Sequence, residues 1–368
     1  MAHRSHNALP AWTWIAPTAA ATLLALKFAE LISTEATFIL ALAAVLLGGA
    51  VFASVHHAEV LAARLGEPFG SLLLAVAVTV IEVALIVSIL VSGVPGSDAV
   101  ARDTVFSAVM IVANGIVGLS LVLGAGLHHE QSFQLKGASS ALAVLGTLAT
   151  LALVLPNYTV TTLGPIYSPV QLIFIGAVSL VLYLTFVFVQ TIRHRDYFLD
   201  GADEDADGLT GPGLRPSARV AAVSAGLLVL SLATVILLAK VLSYPLDRAI
   251  SAAGLPQSFV GVVIAAIVLL PEGIASVRAA LANHLQNSMN LALGSALASI
   301  GLTIPVVAVV SLLSGLRLTL GLNAESTVLL VLTLFVATLT LGTGRTTVLH
   351  GTIHLVIFAV FLLLSAIP

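Results

Sequence analysis

Runs of about 20 apolar residues, each closed by a short polar break, recur along the whole chain at the length an α-helix needs to cross a bilayer core. About eleven such spans are expected, over residues 12–31, 36–55, 68–91, 104–127, 137–155, 169–191, 218–242, 257–281, 288–313, 326–341 and 346–367. The pattern predicts an all-α polytopic membrane protein. Its one long polar interruption, residues 193–219, holds Asp196, Asp200 and the acidic run from Asp203 to Asp207, then a Gly/Pro-rich turn segment. An odd number of spans around such a linker fits inverted-repeat arithmetic. Residues 1–35 would form a leading transmembrane helix, 36–192 a first five-helix repeat, 193–217 a cytoplasmic acidic linker and 218–368 a second, inverted repeat.

Sliding the second half back by 190 positions places Glu272 on Glu82, Phe259 on Phe69 and Ala265 on Ala75, and a shorter loop brings Ser299 onto Asn114. Identity across the repeat is otherwise weak, so the two glutamates carry the comparison. Both stand inside apolar runs, where an ionisable group is costly and marks a functional site by default, each with the other as its expected partner.

Composition agrees with the pattern. With 59% hydrophobic and 8% charged residues the 368-residue chain cannot cover a water-exposed surface. A net charge of −3 and the lack of a basic block give no sign of a nucleic-acid partner. Without cysteine there are no disulfides, no thiol catalysis and no Cys-ligated metal. The first apolar segment reads as an uncleaved helix, because too short an apolar core precedes Ala19 to Ala21 for a signal peptide. With the amino terminus in the cytoplasm, the inside segments carry nine Lys and Arg (Arg4, Arg64, Lys136, Arg193, Arg195, Arg215, Arg219, Arg278, Arg345) and the outside segments five (Lys27, Arg102, Lys240, Arg248, Arg317). That asymmetry favours a cytoplasmic amino terminus and linker.

A carboxylate in hydrocarbon resists ionising until a cation neutralises it, so protons and metal compete for the same oxygens. This competition suits a cation/proton antiporter, with Glu82 and Glu272 as both metal and proton ligands. Hard cations want further oxygens, and neutral ones are at hand. Thr79 and Ser276 share helix faces with Glu82 and Glu272; Ser295, Ser299 and Thr303 form a stripe on the following span; Asn114 takes the matching place in the first half. Intramembrane hydroxyls also serve packing, and that reading stands beside the ionic one. Pro271 removes a backbone donor just before Glu272, so a kink there would free a carbonyl for the ion. His56, Glu59 and Glu67 fall at a span end, where a solvated cluster and a gate or proton relay are both open. His350 and His354, one turn apart in the last span, fit packing or hydrogen bonding better than a metal pair.

Other function classes fit less well. An intramembrane metalloprotease would need His-Glu-x-x-His on one helix, which is absent. A passive cation channel and a sodium/calcium exchanger remain as alternatives, separable by whether flux needs a proton gradient or sodium.

The segments Ala58-Glu59, Arg64-Leu-Gly-Glu67 and Gly70-Ser-Leu-Leu73 ahead of Glu82 resemble the first signature of the cation/proton exchanger family, within the calcium/cation antiporter superfamily. Phe259-Val-Gly261, Pro271-Glu272, Asn283, Met289 to Ser295 and Pro305 resemble the second. His56-His57, Leu65 to Ser71, Arg102-Asp-Thr104, Leu270 before Pro271-Glu272, and Thr343 to Thr346 resemble the bacterial ChaA-type branch in particular. The resemblance implies eleven helices, a central site shared by Glu82 and Glu272, and alternating access driven by proton entry. It implies export of Ca²⁺, with Na⁺ and K⁺ as alternative substrates, across a bacterial inner membrane. No cofactor is expected beyond the transported cations and H⁺; the partners are those ions and the bilayer, with homo-oligomer formation left open. The family's usual Gly-Asn-Ala-x-Glu is replaced here by Val78-Thr-Val-Ile-Glu82 and Val268-Leu-Leu-Pro-Glu272. Two amide oxygens are thereby lost, and the site is expected to be less demanding of a divalent ion.

Overall fold

In hydrocarbon every backbone N–H and C=O must be satisfied within the protein, and the apolar runs answer this by folding as helices. The computed structural model describes residues 9–31, 36–66, 69–199 and 216–368. The helices are α1 (Ala11–Phe28), α2 (Thr37–Leu65), α3 (Phe69–Ser92), α4 (Val100–Met110), α5 (Val117–His128), α6 (Leu135–Ala149), α7 (Pro169–Phe188), α8 (Ala218–Ala252), α9 (Phe259–Leu281), α10 (Leu285–Ser314), α11 (Ala324–Leu341) and α12 (Val348–Ala366). One π turn, Ile111–Ile116, joins α4 to α5 without a break, so that both belong to a single span from Ser97 to His128. Two other π turns extend α6 and α7. Among the described residues nine helices are long and apolar enough to cross a bilayer, and α3 contributes a shorter apolar stretch.

Two helices outrun their expected spans. α2 continues from residue 55 to Leu65, and α8 continues from residue 242 through Pro245 to Ala252. A span estimate stops where hydropathy falls, whereas the helix stops only where its backbone hydrogen bonds do. His56 and Glu59 therefore lie within α2 rather than at its end. Glu67 and most of the acidic linker lie outside the described residues. The all-helical expectation also needs one small amendment, a two-residue antiparallel ladder pairing Gln131 with Thr346 and Ser132 with Arg345.

The chain divides into two compact units, residues 1–94 with 205–249, and residues 95–204 with 250–368. In the first, α1 packs on α2 and α2 on α3. Ala58, Ala77 and Leu228 bring α2, α3 and α8 into one core cluster. The second is built around the α4–π–α5 span, whose most apolar stretch is 89% buried. α9, α10 and α12 surround it.

The loops of the second unit gather at two ends. At one, Thr319 bonds Asp98 through both backbone and side chain, and Leu320 and Gly321 donate to the Pro165 carbonyl. At the other stand the short ladder, the bonds from Gln131 to the Ala280 carbonyl and to Asn283, and the bond from the Gln134 amide to Gln286. Each end ties together segments more than 140 residues apart in the chain.

Candidate functional site

Glu272 stands in the middle of α9, with 9% of its surface exposed. The helix runs on through Pro271. Proline brings no N–H, so the carbonyl four residues earlier, that of Ile267, lacks its usual helical donor. The next residue, Gly273, lets α9 approach the π turn closely: a Cβ there would stand 3.2 Å from the Ile116 side chain. At the start of the same helix a Cβ on Gly261 would come within 2.7 Å of the Thr104 nitrogen. Two glycines thus allow α9 to press on the α4–π–α5 span, one near the start of the helix and one directly after Glu272.

One turn beyond Glu272, the buried Ser276 donates its hydroxyl hydrogen to the Ser288 carbonyl at 2.9 Å. It also stands 2.9 Å from the Ser288 hydroxyl and 3.4 Å from that of Ser120. This ties α5, α9 and α10 together, and the hydroxyl is committed between helices in this conformation. On α10, Ser299 is buried and Ser295 half-buried, while Thr303 has a buried hydroxyl with no hydrogen-bond partner among the described residues.

Asn114 sits within the π turn, fully buried. Its Nδ2 donates to Thr333 Oγ1 at 2.9 Å, and its Oδ1 lies 3.0 Å from His354 Nδ1. Thr333 in turn donates to the sulfur of Met110 at 3.4 Å. An amide in hydrocarbon needs partners, and here α11 and α12 supply them. His350 is not part of this network; its Nδ1 accepts from the Thr347 amide and caps α12.

In the first unit, Glu82 and Thr79 are both buried on α3, sharing a face with Val78, Ile81, Leu85 and Ile86. His57, fully buried, bonds the Thr13 carbonyl through Nε2 at 3.0 Å, while His56 packs on Trp12 with ring centroids 5.5 Å apart. Both rings thereby dock α1 onto α2. Glu59 is exposed.

Glu272, Asn114, Ser276 and Ser299 thus fall within one unit, and Glu82 and Thr79 within the other. Partners absent from the sequence-derived set are Thr333, His354, Ser120 and Ser288. His354 was visible as a histidine inside an apolar span, but nothing local distinguishes Thr333 from a packing hydroxyl. Among the described residues no three His, Asp or Glu side chains converge in a way that could hold a metal ion.

The chain is 59% identical over 360 residues, 98% of its length and 97% of its relative's, to the putative ionic transporter y4hA of Sinorhizobium fredii. It is 36% identical over 312 residues, 85% of its length and 84% of the relative's, to the sodium-potassium/proton antiporter ChaA of Escherichia coli. Its fold matches that of native YfkE with a TM-score of 0.73 at 17% identity, over 97% of this chain and all of the other. The model of the sodium/calcium exchanger protein family matches residues 35–192 and 223–367. These are transporters rather than enzymes, and this multi-pass membrane protein belongs to the sodium/calcium exchanger protein family, on its cation/proton antiporter side.

Proposed function

We propose that the protein exports Na⁺, K⁺ or Ca²⁺ from the cytoplasm in exchange for protons, with Glu82 and Glu272 each alternating between a protonated and a cation-bound state. The observation that carries this reading is the burial of both carboxylates, 4% and 9% exposed, in the middle of apolar helices. A bare carboxylate is expensive there. Protonation or cation binding restores neutrality, so loss of one favours gain of the other, which is the coupling an exchanger needs. The monovalent substrates are favoured by the likeness to the sodium-potassium/proton antiporter, and Ca²⁺ by a fold match to YfkE, described as a Ca²⁺/H⁺ antiporter.

Thr79, Ser295 and Ser299 are the neutral oxygens proposed to assist, with Ser276 supporting from beside Glu272, while the Asn114 amide is held by Thr333 and His354 in this conformation. The amino terminus and acidic linker face the cytoplasm, the membrane is the bacterial inner membrane, and residues 36–192 and 218–368 are inverted repeats in this reading.

The test is cation-induced proton movement in everted membrane vesicles. Na⁺, K⁺ or Ca²⁺ should collapse a preformed pH gradient in wild type, and neither Glu82→Gln nor Glu272→Gln should respond while both still insert and fold. Exchange retained in either variant would sink the proposal. The family's name motivates a second reading, sodium-for-calcium exchange; it predicts Ca²⁺ movement driven by a Na⁺ gradient with no proton movement at all.

A further inference from the structure

The network around Asn114 has a direction. Its Nδ2 can only donate, and it does so to Thr333. Its Oδ1 can only accept, so the His354 nitrogen facing it must carry the hydrogen. Thr333, having accepted from Asn114, passes its own hydrogen to Met110. Four buried residues from three segments of the fold are thus joined in one sequence of donors, and Asn114 is held at both ends of its amide.

The backbone is shaped to permit this. The π turn places an extra residue in the span at Asn114. α12 crosses α5 at two glycines: a Cβ on Gly351 would stand 2.7 Å from the Gly118 carbonyl, and one on Gly118 would stand 3.0 Å from the His354 Cβ. His354 therefore leaves α12 at the point where that helix is nearest the central span. The π turn is also the segment that Gly273 of α9 touches, directly after Glu272.

We infer that His354 and Thr333 are positioning residues that fix the Asn114 amide with its oxygen turned to α12, and that by withholding this oxygen from the cation they shift the exchanger toward monovalent ions. The inference rests on the proposed exchange through Glu272. Its physical basis is ligand number. Ca²⁺ takes about six to eight oxygens, so each neutral oxygen removed from the set weighs more heavily against it than against a singly charged ion.

Half-saturating concentrations for Na⁺ and Ca²⁺ in everted vesicles test this. His354→Leu frees the Asn114 oxygen and should lower the Ca²⁺ value relative to the Na⁺ value several-fold. Thr333→Val, which keeps side-chain shape and releases the other end of the amide, should move the ratio the same way by less. His354→Asn, whose Nδ2 overlies the lost Nδ1–H, should restore the wild-type ratio. A purely structural role would change the amount of active protein and leave the ratio alone. If wild type exchanges and Glu272→Gln does not, yet the ratio is unmoved in Thr333→Val and His354→Leu, the positioning role is overturned and the exchange reading survives. If Glu272→Gln still exchanges, the exchange reading fails, and the positioning role falls with it. Should His354→Leu fail to fold, Thr333→Val decides alone.

Discussion

Ser276 donates to the carbonyl of Ser288 across twelve residues of chain, one turn past Glu272, and the same hydroxyl meets those of Ser288 and Ser120. All three serines are fully buried. The clasp fixes the rotation of α9 about its axis, and with it the direction in which Glu272 points.

Replacing Ser276 with alanine leaves a buried carbonyl and hydroxyl short of a partner, at a cost of about 1–3 kcal/mol. The thermal midpoint of the detergent-purified protein should fall by several degrees, and the maximal exchange rate with it. Half-saturation by Na⁺ should stay near wild type, because the Ser276 oxygen is occupied between helices. Unchanged stability with a many-fold weaker cation response would instead place that oxygen at the ion.

The crossing of α5 and α12 depends on the absence of two side chains. Gly351→Ala sets a methyl 2.7 Å from both the Gly118 carbonyl and the Val122 nitrogen, backbone atoms that cannot rotate away. Overpacking of this kind costs about 1–3 kcal/mol. Gly294→Ala in α10 meets nothing within 4 Å and should be neutral. Thermal unfolding of the two variants side by side checks the claim, with equal midpoints counting against it.

Much of this was legible in the sequence, for physical reasons that differ residue by residue. Glu82 and Glu272 announced themselves because a carboxylate amid twenty apolar neighbours has no innocent surface role. Helix positions followed from the bilayer's thickness, which sets a length that composition alone can reveal. The far ends of α2 and α8 did not, since a helix can run on past the point where hydropathy falls. Nor did the partners of Asn114. Thr333 lies 219 residues away and His354 lies 240 away, and only the packing of α11 and α12 against the π turn brings them to it. Ser276 was read as a companion of Glu272 on its own helix face, yet its hydrogen bonds are made to Ser288 and Ser120 on neighbouring helices.

His57 tests whether the relay considered for His56 extends to its neighbour. Its Nε2 holds the Thr13 carbonyl and its ring is fully buried between α1 and α2. His57→Ala should therefore destabilise by about 1–3 kcal/mol through the orphaned carbonyl and lost packing, while the pH dependence of exchange keeps its shape. A shifted pH profile in a protein of normal stability would put His57 on the proton path.

Since the chain contains no cysteine, its orientation can be read with single introduced thiols in an otherwise wild-type background. The second unit offers two exposed positions at opposite ends: Ser132, in the ladder, and Thr161, in the loop near Pro165. The excess of Lys and Arg on one set of loops assigns Ser132 to the cytoplasm and Thr161 to the outside. A membrane-impermeant maleimide added to intact cells, with the outer membrane permeabilised, should label Thr161→Cys and spare Ser132→Cys. Everted vesicles should show the opposite. The reverse pattern would invert the proposed topology, and with it the direction of cation export. Labelling of both positions from one side would contradict the placement of these loops at opposite ends of the unit, because α6 and its extension to Tyr158, which lie between Ser132 and Thr161 in the chain, are long and apolar enough for one crossing.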